Sequence, residues 1–142
     1  MKVFLPLLLA VILGPVSDHS FGAKGKPVSI SKAQAMAFLA ESEQLQKEGG
    51  LLIKRRASAI ELGTHSRKFV ALVNKLDPYG PALAEPIGQC FGMAVMSQQL
   101  WMTKMDLARQ NDKIRKDAYQ SAEKNYMERR DWCIEQASRL NE

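Results

Sequence analysis

Two cysteines, one histidine and a short run of cations are the residues of this chain whose types and spacing could do chemistry. Cys90 and Cys133 are its only cysteines, an even count that pairs readily in an oxidising compartment. They are expected to form one disulfide. His65 is the only histidine beyond residue 19, whereas a transition-metal site needs two or more imidazole or thiolate ligands at helical or turn spacing. With both thiols oxidised no such set remains, so neither a metal nor another cofactor is expected, and no C-x-x-C-H run offers haem attachment. Thr64 and Ser66 flank His65 directly, so on a helix they point away from it and make no nucleophile–base pair. Glu41, Glu43, Glu61 and Glu85 supply carboxylates, but general acid–base work needs a carboxyl in an apolar pocket, and the pattern around these residues is that of solvated faces. An enzyme is therefore not expected; a cleft placing Glu61 or Glu85 beside His65 would revive that alternative.

The densest positive patch is Lys54-Arg55-Arg56 with Arg67-Lys68. A helix running on through Gly63 would put Arg56 and Arg67, 11 residues or about three turns apart, on a common face. Such a strip could hold an anion or dock a partner, while the plainer reading is an ordinary solvated face. Trp101 and Trp132 fall near the seam expected between the last two helices, which places both in the core. Met93, Met96, Met102 and Met105 form an adaptable row that either fills an irregular core or lines an opening for an apolar ligand.

The element that must position these residues is Pro86 to Arg109, the most apolar segment after the N-terminus. Apolar side chains occupy nearly every face of it, the pattern of a helix wrapped by others. Pro86 suits the first helical position, where its missing N–H has no partner to lose. Upstream, Ser31 and Gln34 make a capping box for a helix that keeps its apolar spacing to Lys47, with Gly49 and Gly50 ending or loosening it. A second pattern runs from Leu51 to Leu76, with Ile53, Ala57 and Ile60 on one face and Leu62, Phe69, Val73 and Leu76 on a rotated one. Gly63 and Thr64 mark a kink or restart where the register shifts. Pro78 stops this helix by Asp77, and Asp77-Pro78-Tyr79-Gly80 suits a β-turn.

Beyond Gly92 there is neither glycine nor proline, so Pro86 to Leu140 is either one long helix or a hairpin. A continuous helix would hold residues 90 and 133 about 65 Å apart and leave only an intermolecular bond. Folding at Asn111-Asp112, midway between them and the best local turn and cap chemistry, brings the two sulfurs level. The hairpin is the expectation. Its second helix repeats Tyr119, Tyr126, Cys133 and Leu140 every seven residues, with Ile114, Ala118, Ala122 and Ala137 beside them as the buried stripe.

Length sets one domain, because 142 residues is a common size for a single folding unit. Met1 and Lys2 followed by the apolar run Val3 to Gly14, with Ser20 and Gly22 at the small-residue positions, predict a signal peptide over residues 1–22. The run of 12 falls short of the roughly 20 residues that span a bilayer, so no stable membrane insertion is expected after cleavage. Residues 23–30 read as a flexible leader and 31–142 as the helical domain. The net charge of +5 is moderately basic; export and the lack of zinc-finger, RNP or glycine-loop signatures argue against nucleic acid.

The expectation is thus an all-α protein: a bundle of about four helices whose C-terminal hairpin is stapled by one disulfide, located in the periplasm or outside the cell. In plan alone, with no shared motif, it resembles periplasmic immunity proteins that block injected toxins and small accessory proteins of secretion and conjugation machines. That resemblance implies a non-enzymatic module that binds a protein partner. The alternative is a carrier that holds an apolar small molecule between the Met-rich helix and its neighbours.

Overall fold

A computed structural model describes residues 30–79 and 87–140 of the chain. Four helices, α1 (Lys32–Lys54), α2 (Ala59–Asn74), α3 (Ile87–Arg109) and α4 (Lys113–Ser138), and one 3-10 turn (Asp77–Tyr79) make up the regular structure of these residues. The expected signal peptide, residues 23–29 of the leader, Glu85 and Pro86 lie outside them. Ile30, at the end of the expected leader, is buried in the core.

Three of the helices, α1, α2 and α4, begin where local chemistry favours a start. The Ser31 hydroxyl accepts from the Gln34 N–H while the Gln34 side chain accepts from the Ser31 N–H, so the expected capping box opens α1. Ser58 and Glu61 form the same device at the start of α2, a signal present in the sequence but hidden there by the apolar pattern that crosses it. The Asp112 carboxylate accepts from the Arg115 N–H and opens α4.

Two expected helix boundaries move. First, α1 does not stop at Gly49-Gly50 but runs to Lys54. The reason is steric: a Cβ at Gly49 would lie 2.6 Å from the Trp101 ring and 2.9 Å from His65 Nε2. Glycine there lets three helices approach one another, and packing outweighs the roughly 1 kcal/mol of helix propensity lost relative to alanine. Second, the apolar pattern from Leu51 to Leu76 is divided between two helices, with Leu51–Lys54 closing α1 and α2 starting only at Ala59. Within α2, Gly63 causes neither a restart nor a cap by Thr64; it faces open space inside a continuous helix. Asp77-Pro78-Tyr79 forms a 3-10 turn, and Gly80, the last residue of the expected β-turn, lies outside the described residues.

The hairpin stands as expected. α3 and α4 pack along their length as the most extensive helix pair, and Cys90 and Cys133 join them with an S–S distance of 2.06 Å and a Cα–Cα distance of 4.6 Å. α1 lies across both helices of the hairpin, and α2 packs on α1 and α3. The core therefore draws Leu39 and Leu45 from α1, Phe69 and Leu72 from α2, Met93 and Trp101 from α3, and Tyr126 and Ala137 from α4. Inside it, Ser42 Oγ donates to Ser97 Oγ at 2.9 Å and lies 3.3 Å from Tyr126 OH. These bonds tie α1, α3 and α4 at one level, with their polar atoms partnered as burial demands.

The core-facing side of α4 runs Tyr119, Ala122, Tyr126, Cys133 and Ala137, continued by Leu140 just past its end, with Tyr119 and Leu140 partly buried. Residues one place off this line are turned by about 100° around the helix. Ile114, expected in the stripe, is therefore 79% exposed, and Ala118 is exposed with it. Trp132 precedes Cys133 and is displaced in the same way: it is 44% exposed rather than in the core, with the Arg129 guanidinium 4.7 Å from its ring centroid. The α3 methionines also divide, Met93 being fully buried, Met96 and Met105 partly so, and Met102 exposed. The expected wrapping of α3 is thus incomplete on the Met102 side.

Candidate functional site

The five cations of the basic patch do not share a face. Lys54 ends α1, Arg55 and Arg56 lie in the turn after it, and Arg67 and Lys68 sit on the third turn of α2. Because the helix breaks between them, the common face expected for Arg56 and Arg67 does not form. Arg55 and Lys68 meet instead on one groove, Arg56 lines a separate cavity, and the Arg67 guanidinium donates to Thr64 Oγ1 at 3.0 Å.

The groove lies between α1 and α2 and encloses about 380 Å³. α1 and its C-cap contribute Glu48, Leu51, Leu52 and Arg55, and α2 contributes Ile60, Glu61, Thr64, His65 and Lys68. Each set holds single residues or adjacent pairs recurring after three or four positions, so each is one helical face and the groove is the angle between them. Leu51 and Ile60 line it yet remain 58% and 81% exposed. Large apolar side chains this open on opposite walls make a contiguous apolar surface.

Charge pairs bridge the same angle. Arg55 meets Glu61 at 2.5 Å and Lys68 meets Glu48 at 3.0 Å, each pair joining the α1 side to α2. The Arg55 hydrogen bond, helped by the Ser58 cap, holds the Glu61 carboxyl down at about 2. Hydrogen bonds from Gln44 and then Lys68 hold Glu48 below its ordinary 4.5. The groove thus carries two cations answered by two carboxylates, and the excess positive charge expected there is neutralised locally.

His65 forms part of the groove wall but is only 2% exposed. Nε2 lies 2.9 Å from the Leu45 carbonyl oxygen; a carbonyl only accepts, so Nε2 carries the proton and Nδ1, 3.9 Å from Glu48, does not. Burial pushes the imidazole pKa below its ordinary 6.5, against the upward pull of the Leu45 carbonyl and Glu48 and with the help of Lys68. The ring packs edge-on against Phe69 and Trp101, with centroids 5.4 Å and 4.8 Å away. Ser66 does not serve His65: its hydroxyl donates to the Leu62 carbonyl at 2.9 Å and accepts from Trp101 Nε1 at 2.8 Å. The histidine positions helices.

Of the carboxylates weighed as acids or bases, the three among the described residues are also engaged. Glu41 pairs with Lys75 and Glu43 with Arg130, both at 2.6 Å. Glu61 does line one groove with His65, the arrangement named above as favouring an enzyme, but Arg55 holds its carboxyl at about 2, the opposite of the raised pKa a general acid needs, while Glu85 lies outside the described residues. Among the described residues no group of three or more His, Cys, Asp or Glu side chains is placed to hold a metal ion. The groove sets an apolar floor between fixed, mutually paired charges. The signal for it in the sequence was the pair of stripes Leu51/Arg55 and Ile60/Thr64/Lys68, legible only once the helix break at Ser58 is placed. No protein-family model, curated protein or solved structure matches the chain.

Proposed function

We propose that this protein is an exported, non-enzymatic protein-binding module that docks its partner on the α1–α2 groove. The observation that carries the reading is the exposure of Leu51 and Ile60 on the two walls of one groove whose rim charges already satisfy one another. An apolar centre with a polar, charge-paired rim is the anatomy of a protein interface, in which the centre supplies affinity and the rim supplies register. Support for export comes from the apolar run Val3 to Gly14 and from a disulfide of the kind that persists in oxidising compartments. No described helix is long and apolar enough to cross a membrane. An inhibitor of the immunity type or a secretion-system accessory protein would use such a surface.

The test compares capture from host envelope extract by the wild-type chain and by an Ile60→Asp variant. Ile60 makes little contact in the fold, so the variant should unfold at the same temperature as wild type while losing at least about tenfold in partner affinity. Equal recovery of the same partner by both would sink the assignment of the groove.

A further inference from the structure

The turn that ends α1 carries an arginine where backbone geometry favours glycine. Arg56 N–H donates to the Ile53 carbonyl at 3.0 Å and Ala57 N–H to the Leu52 carbonyl at 2.9 Å, the paired bonds of a Schellman motif with Arg56 at its left-handed position. Its φ of 55° is the only positive value for a non-glycine among the described residues. An L side chain there crowds its own backbone, which is why glycine usually fills the place. Among the described residues the Arg56 guanidinium has no ion pair or hydrogen bond that would offset this strain. Strained positions of this kind concentrate where a side chain has a task.

The Arg56 side chain lines a cavity of about 220 Å³ between the end of α1, the start of α2 and the end of α3. Ile53, Leu62 and Met105 supply apolar walls, and Arg109 supplies a second guanidinium. Among the described residues no carboxylate lines the cavity. Arg109 pairs with Asp106 at 3.7 Å, in an exposed pair of a kind that contributes little. Unlike the α1–α2 groove, this site keeps an unanswered positive charge beside an apolar interior.

We propose that the cavity binds a short anionic amphiphile, an acyl chain ending in a carboxylate, with Arg56 and Arg109 on the carboxylate and the tail against Ile53, Leu62 and Met105. Guanidinium forks match a carboxylate in two-point geometry. The flexible Met105 thioether can adjust to the tail. The volume lies below the roughly 300–1,000 Å³ of pockets for drug-sized ligands, so the tail is short. The site is separate from the docking groove, and neither reading depends on the other.

Octanoate is the probe, titrated into the full-length mature protein and followed by backbone amide NMR shifts, with octanol as the uncharged control. Binding should move the amides of Ile53, Arg56, Leu62, Met105 and Arg109, and octanol should bind at least about tenfold more weakly. Arg56→Gly relieves the left-handed strain and removes one guanidinium, so it should raise Tm by about 2–4 °C while weakening octanoate about tenfold. Arg109→Gln should weaken octanoate without raising Tm. A purely structural Arg56 would give the first effect without the second. Unchanged octanoate affinity in both variants, equal binding of octanol, shifts centred on Leu51 and Ile60, or no saturable binding at all would each overturn the proposal.

Discussion

The two helix pairs of this protein differ in what is added to their buried packing. α3 and α4 meet through the small side chains of Ala122 and Ala137 and are locked by a disulfide. α1 and α2 meet through core side chains and the buried His65–Leu45 bond, and carry in addition only two exposed ion pairs, Arg55 with Glu61 and Lys68 with Glu48, beside an apolar groove left open between them. Exposed ion pairs contribute little to stability, whereas a covalent link across a long loop contributes several kilocalories. The contrast gives the hairpin a covalent lock and leaves the α1–α2 angle with an open apolar surface.

Breaking the covalent half should have the largest effect. The disulfide spans 43 residues, and the chain-entropy model values a loop of that size at about 4 kcal/mol. Cys90→Ala with Cys133→Ala should lose about that much in urea unfolding, and amide exchange should quicken first in α3 and α4. An equal acceleration in α2 would erase the distinction between the two halves.

The glycines sharpen the comparison. Gly49→Ala drives a methyl group into Trp101 and His65 and should cost about 1–3 kcal/mol, as overpacking does. Gly63→Ala enters open space on α2 and should stabilise by up to about 1 kcal/mol through helix propensity. Thermal melts of the two variants should therefore move in opposite directions. A stabilising Gly49→Ala would mean that α1 does not approach Trp101 this closely.

The smallest effect is a pH slope where the two halves meet. Burial lowers His65 below its ordinary 6.5, so the unfolded chain takes up the proton first. This contribution to stability is full above the unfolded pKa and falls as pH drops through it toward the folded value. Between about pH 7 and 5 wild type should lose stability, while His65→Gln, which keeps a donor for the Leu45 carbonyl, should flatten that slope. Glu48 is also depressed and adds its own loss only below its ordinary 4.5. A slope unchanged in His65→Gln would place the titrating group elsewhere.

Much of the hairpin was legible in advance because its evidence is local or covalent. Cap chemistry at Asn111-Asp112 and the even spacing of the cysteines about that turn specify one geometry. The groove was not legible. Its stripes belong to separate helices, and the apolar pattern from Leu51 to Leu76 runs across the break that Ser58 and Glu61 make. Trp132 was misplaced because a side chain one residue from the seam looks like a core residue until the phase of the stripe through Cys133 is known.

By itself the sequence determined that the chain is helical, where α1 begins, that its end doubles back, and which sulfurs meet. Tertiary structure alone decided that Gly49 is the bed for an indole rather than a helix stop, that an arginine ends α1 at positive φ, and that the cations part between a neutralised groove and an unanswered cavity. The physical reason is that caps, turns and disulfides act over a few residues or through a bond. The meaning of a glycine or a charge depends on what another helix brings against it.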